Sequence, residues 1–211
     1  MIGVYGGTFD PIHYGHLRSA LEVREALGLS HIRFIPCGQP PHRSQPHASA
    51  AQRLAMVDAA IAGVPEFISD VREISRQGPS YMIDTLRDLR QELPDQELCL
   101  LLGMDAFAAL HTWHEWRGLV QLCNIVVMHR PEFEPAQVIR DAALQQWVAE
   151  NQARDTRQFC GSRAGRVLFY PVTQLDIAST RIREAIKQRR SVRYLLPDSV
   201  ISMIERDGIY H

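Results

Sequence analysis

Residues 6 to 16, GGTFDPIHYGH, place two glycines, a threonine and two histidines in one short stretch. Gly6 and Gly7 let a backbone approach a phosphate closely, and Thr8 adds a hydroxyl. His13 and His16, at i and i+3, share one face near a helix start, so both imidazoles can enter one cavity. Imidazole N–H groups beside the free backbone donors of a helix N-terminus suit phosphate oxygens. A tight turn without a ligand is the alternative for the glycine pair, and a metal is the alternative for the histidines. Zinc usually takes further His, Cys or carboxylate ligands, and none adjoins this pair. Neither a Walker A string nor G-x-G-x-x-G occurs, which excludes the two commonest phosphate-loop patterns.

The elements that must position these residues alternate along the chain. Apolar, strand-like runs occupy 2–6, 31–36, 66–70, 97–103, 124–129 and 166–171, several apolar on both faces. Helical patterns cover 15–27, 51–62, 82–93 and 136–150, and two short helices follow Asp176. This order predicts an α/β fold: a Rossmann-like parallel sheet with helices on both faces, completed by a small C-terminal helical segment, 176–211, within a single 1–211 domain. Two polar stretches, 37–49 and 152–165, read as mobile loops.

With 211 residues, 45% of them hydrophobic, the chain can bury one substantial core. Its 23 Lys and Arg against 24 Asp and Glu create no general field for nucleic acid or membrane, so any anion must be gripped locally. The four cysteines, Cys37, Cys99, Cys123 and Cys160, form neither a C-x-x-C pair nor a disulfide framework. A cytoplasmic protein is expected, with no signal peptide and no long apolar span.

Residues further on supply a second anion site. Ser179 and Thr180 precede the helical run IREAIKQRR, and Arg183 lies one turn in. A helix cap is one role for the hydroxyls; a site for the β and γ phosphates of a nucleotide is another. Asp105, just after the strand LCLLLG, can cap the next helix or face a ligand at the sheet edge. Trp113 and Trp116 flank two polar residues, which suits an exposed edge where an indole can stack on a planar ring.

The string GGTFDPIHYGHL resembles the HxGH signature of the nucleotidylyltransferase superfamily, and in full it closely resembles that of bacterial nicotinate-nucleotide adenylyltransferases. PPHR (40–43), GPSYMIDTL (78–86), LLGMDAF (101–107), TWHEW (112–116), MHRP (128–131) and DIASTRIRE (176–184) resemble further blocks of that family in the same order. The resemblance implies adenylyl transfer from ATP to nicotinate mononucleotide, giving nicotinate adenine dinucleotide and pyrophosphate in NAD biosynthesis, with Mg²⁺ accompanying ATP and no metal held by the protein itself. It assigns catalysis to His13, His16 and Arg183, and ATP binding to these with Gly6, Gly7, Thr8, Phe9, Gly103, Asp105, Ser179 and Thr180. It assigns the mononucleotide to Arg43, Ser80, Tyr81, Thr85, Trp113, His114, Trp116 and Arg130, with backbone N–H groups near Thr85 and His114 holding its carboxylate. Ala178 and Met82 depart from the family pattern, which has Ser and Thr there. Rival readings are another mononucleotide or phosphopantetheine as acceptor, a synthetase fragment with a HIGH-like motif, and a nucleotide sensor without turnover.

Overall fold

Every apolar run becomes a strand of one parallel sheet. The strands are β1 (Ile2–Gly7), β2 (Ile32–Pro36), β3 (Phe67–Ser69), β4 (Leu98–Gly103), β5 (Asn124–His129) and β6 (Val167–Pro171), in the spatial order β3-β2-β1-β4-β5-β6. At the centre, β1, β4 and β5 are buried on both faces and need helices above and below, while the edge strand β3 leaves Ile68 exposed. The computed structural model describes residues 1–40, 45–130, 138–173 and 175–211. The helices are α1 (Tyr14–Leu27), α2 (Ala50–Ile61), α3 (Arg72–Ser75), α4 (Met82–Glu92), α5 (Met104–Ala108), α6 (Trp116–Leu119), α7 (Ala142–Asn151), α8 (Thr156–Phe159), α9 (Ser179–Lys187) and α10 (Asp198–Arg206).

Side chains alternate across the sheet, and the alternation divides the core in two. Cys99 and Leu101 of β4 and Val126 and Met128 of β5 join the cluster formed by α1, α2, α8, α9 and α10. Leu98, Leu100 and Leu102 of β4, with Ile125 and Val127 of β5, join the cluster of α4, α5, α6 and α7 on the opposite face. The two-residue period of a strand thus feeds two helix layers at once. The C-terminal helices complete the first layer: Val200 and Ile204 are buried in it, and the Ser199 hydroxyl donates to the Ala59 carbonyl at 2.9 Å. Among the described residues no helix is long and apolar enough to cross a membrane.

Two expectations change. The helix expected over 136–150 begins at Ala142, because Asp141 stops it by accepting the Leu144 N–H at 2.9 Å; residues 136 and 137 lie outside the described residues. The 152–165 stretch, expected to be a mobile loop, is tied into the core. Asp155 caps α8 by accepting the Gln158 N–H at 2.8 Å, the Ala153 N–H bonds Val167 O at 2.8 Å, and Phe159 is fully buried. A single anchoring aromatic in a four-residue helix leaves no periodicity to read.

Replacing that anchor, Phe159→Ala, is expected to lower unfolding free energy by about 3–5 kcal/mol, the range for a buried aromatic truncation. Urea titration checks it, and a loss below about 1 kcal/mol would show the segment to be loosely held.

Candidate active site

β1 and β4 are neighbours, yet the chain leaves them toward opposite edges of the sheet: after β1 to β2, after β4 to β5. Their carboxyl ends therefore part and leave a crevice, the position where parallel α/β sheets take ligands. The turn after β1 enters it. Phe9 adopts the left-handed conformation (φ 49°), which swings its ring beneath the turn, where it is 2% exposed and lies edge-on to Tyr5 and His16. Gly7 makes this possible, since a Cβ there would sit 2.9 Å from the Phe9 ring. The Phe9 ring is thus part of the core, and its backbone alone remains for a nucleotide.

His13 does not lie within the helix but caps it, with extended backbone (φ −150°). The two imidazoles stack face to face, centroids 3.7 Å apart and 27° between planes. Gly15 permits the overlap: a Cβ there would come within 3.0 Å of the His13 ring. The His13 N–H donates to His16 Nδ1 at 3.3 Å, which leaves the proton of neutral His16 on Nε2. Burial lowers the His13 pKa to about 4. Burial, with the neighbouring His13 second, holds His16 well below the usual imidazole range. The pair therefore offers neutral donors, not cations, at pH 7. His13 Nδ1 is buried and has no hydrogen-bond partner among the described residues.

The start of α9 packs against this turn. Ala178 occupies the cap position, and Ser179 and Thr180 form the first turn of the helix, where the sequence had them preceding it. The Ser179 hydroxyl, read as a cap or a phosphate ligand, donates instead to Pro11 O at 2.9 Å. Arg183 Nη1 donates to Asp10 O at 2.6 Å and lies 3.8 Å from the Asp10 carboxylate, while Nη2 donates to Thr180 Oγ1 at 3.3 Å. Two helix starts, α1 and α9, are thereby joined through Asp10 and Pro11. Asp105 is exposed in the first turn of α5, and its expected cap role falls to Gly103.

A second group gathers at the start of α4. The Tyr81 and His114 rings lie 4.4 Å apart, and Arg87 of α4 pairs with Glu115, so the 80–85 and 112–116 blocks do meet. Ser80 Oγ accepts the N–H groups of Gly38 (2.9 Å) and Gln39 (3.1 Å), which pins the chain leaving β2. Thr85 is corrected from contact to support. It is fully buried, its N–H closes on Tyr81 O at 3.3 Å, and its hydroxyl donates to Glu73 Oε1 at 2.7 Å. Burial raises the Glu73 pKa, and the Thr85 hydroxyl bond works against that rise. Trp116 is corrected as well: it is 8% exposed within the apolar cluster, with Arg117 over its ring at 4.8 Å, which makes it a core side chain. Trp113 is half-buried and packs against the same cluster. Met82 lies against the glycine turn, where a Cβ on Gly6 would collide with its methyl group. Arg130 is placed beside the approach to α9, 3.7 Å from Asp176, and Arg43 lies outside the described residues.

Comparison with known proteins bears on this arrangement. A model of the family described as cytidylyltransferase-like matches residues 4–185. A Methylococcus capsulatus protein named "Probable nicotinate-nucleotide adenylyltransferase" is 50% identical over 211 residues, covering 100% of this chain and 99% of the relative. The chain belongs to the nicotinate-nucleotide adenylyltransferase family. It is thereby an enzyme of the nucleotidyltransferase class. A Pseudomonas aeruginosa relative of the same name is 45% identical over 212 residues, 99% of this chain and 96% of its own. Among solved structures, the Plasmodium falciparum nicotinic acid mononucleotide adenylyltransferase complexed with NaAD superposes with a TM-score of 0.72, covering 99% of this chain and 96% of that one. At 18% identity that likeness shows the Rossmann-like fold.

Four residues that shape the site escaped the sequence reading: Asp10, Arg53, Glu73 and Tyr210. Arg53 carried a signal, because it falls on the same helical stripe as the buried Met56, Val57 and Ile61. Asp10 lies inside the glycine-turn string, where no local spacing signals its burial.

The histidine burial has a measurable sign. An unfolded imidazole protonates near 6.5 and folded His13 only near 4, so the unfolded state binds more protons between them, and stability falls as pH drops through that window. Thermal midpoints from pH 7 to 4.5 should decline less steeply in His13→Gln than in the parent; equal slopes would place the titration elsewhere.

Proposed function

We propose that this chain joins the α-phosphoryl group of ATP to the phosphate of nicotinate mononucleotide, with pyrophosphate leaving, and that it does so by holding and neutralising phosphate oxygens. The observation that carries this reading is the junction of the α1 and α9 starts through Asp10 and Pro11, which brings the stacked histidines and the first turn of α9 to the same turn after β1. The attacking phosphate has a second pKa of about 6 and is already largely ionised at neutral pH, so no general base is needed. The task left to the protein is to align two anions and stabilise the charge that develops.

In this reading the Nε2–H of His16 donates to the transferring phosphoryl group, with His13 beside it. The open backbone donors of the α9 start and Thr180 meet the departing phosphates, and Arg183 holds the loop carrying Asp10 while offering its remaining N–H groups. Arg130, beside Asp176, fits the phosphate side better than the pyridine ring. Gly6, Gly7, Thr8 and the Phe9 backbone line the nucleotide, and Gly103 and Asp105 border it from β4. The pyridine ring lies between Tyr81, His114 and the edge of Trp113, its carboxylate toward backbone donors at the α4 start. Arg43 belongs with the phosphates of the β2 side.

Mg²⁺ bound to the triphosphate supplies further charge neutralisation. The donors suit a metal that arrives on the nucleotide: among the described residues no three His, Cys, Asp or Glu side chains converge, and the two imidazoles stack instead of aiming at one point. The chain works as one domain in the cytoplasm, consistent with a cysteine spacing that forms no C-x-x-C pair.

His16→Ala should lower kcat by about a hundredfold or more, the scale for removing one oriented transition-state donor. Pyrophosphate release from ATP measures it, and an unchanged rate would remove His16 from the chemistry. Across a panel of nicotinate mononucleotide, nicotinamide mononucleotide and phosphopantetheine, the acid mononucleotide should give the highest kcat/KM. A preference for phosphopantetheine would overturn the acceptor assignment.

A further inference from the structure

Arg53 is 1% exposed, a guanidinium enclosed in the apolar face of α2. Each of its bonds goes to a backbone carbonyl, and each carbonyl belongs to a different stretch of the site: Nη1 to Thr8 O at 2.8 Å, Nη2 to Gly38 O at 3.2 Å, Nε to Ala48 O at 3.3 Å. Among the described residues no carboxylate forms an ion pair with it. Enclosing a cation without a counter-charge is costly, and a Leu or Met would fill the same stripe without that cost. A planar fork with donors in fixed directions is what a branched apolar residue cannot supply.

The three carbonyls define what the fork does. Thr8 lies in the turn that faces ATP. Gly38 lies where the chain leaves β2, and Ser80 Oγ holds its N–H from the other side. Ala48 leads into α2, and its N–H is held by Asp10, the carboxylate next to Arg183. One rigid group therefore sets the spacing between the nucleotide turn and the β2 loop on the acceptor side. We propose that Arg53 is a positioning residue for adenylyl transfer, holding the two cradles at the separation that in-line attack requires. This rests on the adenylyl-transfer reading of the site. A displacement of about 1 Å between reacting groups can cost a hundredfold in rate, so a residue that touches neither substrate can still govern kcat.

Arg53→Lys tests it, since an ammonium keeps the charge but cannot hold three diverging carbonyls. The expected result is a fall in kcat per folded molecule of about tenfold or more, with KM for ATP and for nicotinate mononucleotide within about threefold of the parent. Arg53→Met, which removes the charge too, should in addition raise KM for ATP. Ile61→Ala, at the far end of the same helix, controls for loss of stability and should leave kcat per folded molecule unchanged. A parental kcat in Arg53→Lys, a loss that only follows the folded fraction, or failure of both Arg53 variants to fold would overturn the proposal. Parental turnover measured alongside separates the two readings: no product from ATP and nicotinate mononucleotide sinks adenylyl transfer itself, whereas a parental rate in Arg53→Lys sinks this proposal alone.

Discussion

One buried carboxylate holds the parts of the site together. Asp10, 4% exposed, accepts the N–H groups of His47 and Ala48 at 2.9 and 3.1 Å and the hydroxyl of Tyr210 at 2.7 Å, with the Arg183 guanidinium 3.8 Å away. Its partners come from the chain before α2, from α9 and from the segment after α10, so its charge is shared among elements that meet only in the folded state. A buried carboxylate is tolerable only with such a set of donors. Burial pushes the Tyr210 hydroxyl pKa up, and the bond to Asp10 adds to the rise, so the phenol remains a donor to it.

Around that centre, charge and neutrality are separated by depth. The imidazoles that face the crevice are kept neutral by their surroundings, while the guanidiniums of Arg53 and Arg183 are held by carbonyls. In the proposed reading the arrangement offers phosphate oxygens neutral N–H groups, with positive charge behind them. It also explains why the glycines matter individually: Gly7 makes room for the Phe9 ring and Gly15 for the His13 ring, so the turn is shaped by what lies beneath it.

Much of this was legible in the sequence. The six strands follow from short apolar runs, several of them apolar on both faces, and the HxGH turn follows from residue types that few other arrangements require. What escaped was of two kinds. Contacts between distant loops, such as Ser179 with Pro11 or Thr85 with Glu73, depend on tertiary proximity that local spacing does not encode. Burial of Trp116 and Phe159 depends on how the segments on either side are anchored, and polar neighbours in sequence concealed it. Arg53 is the intermediate case, a charge on an apolar stripe that periodicity exposes once the stripe is drawn.

The central pairing of the sheet, Ile2 with Leu98 and Val4 with Leu100, joins the β1–β3 half of the sheet to the β4–β6 half through residues 96 positions apart. Contacts so remote in sequence close late and slowly during folding. The crevice exists only where those halves dock, and a molecule seated in it therefore works as a clasp across the seam. Nucleotide occupancy, by mass action, should guard the whole assembly against opening along that line and hence against proteases that attack parted halves.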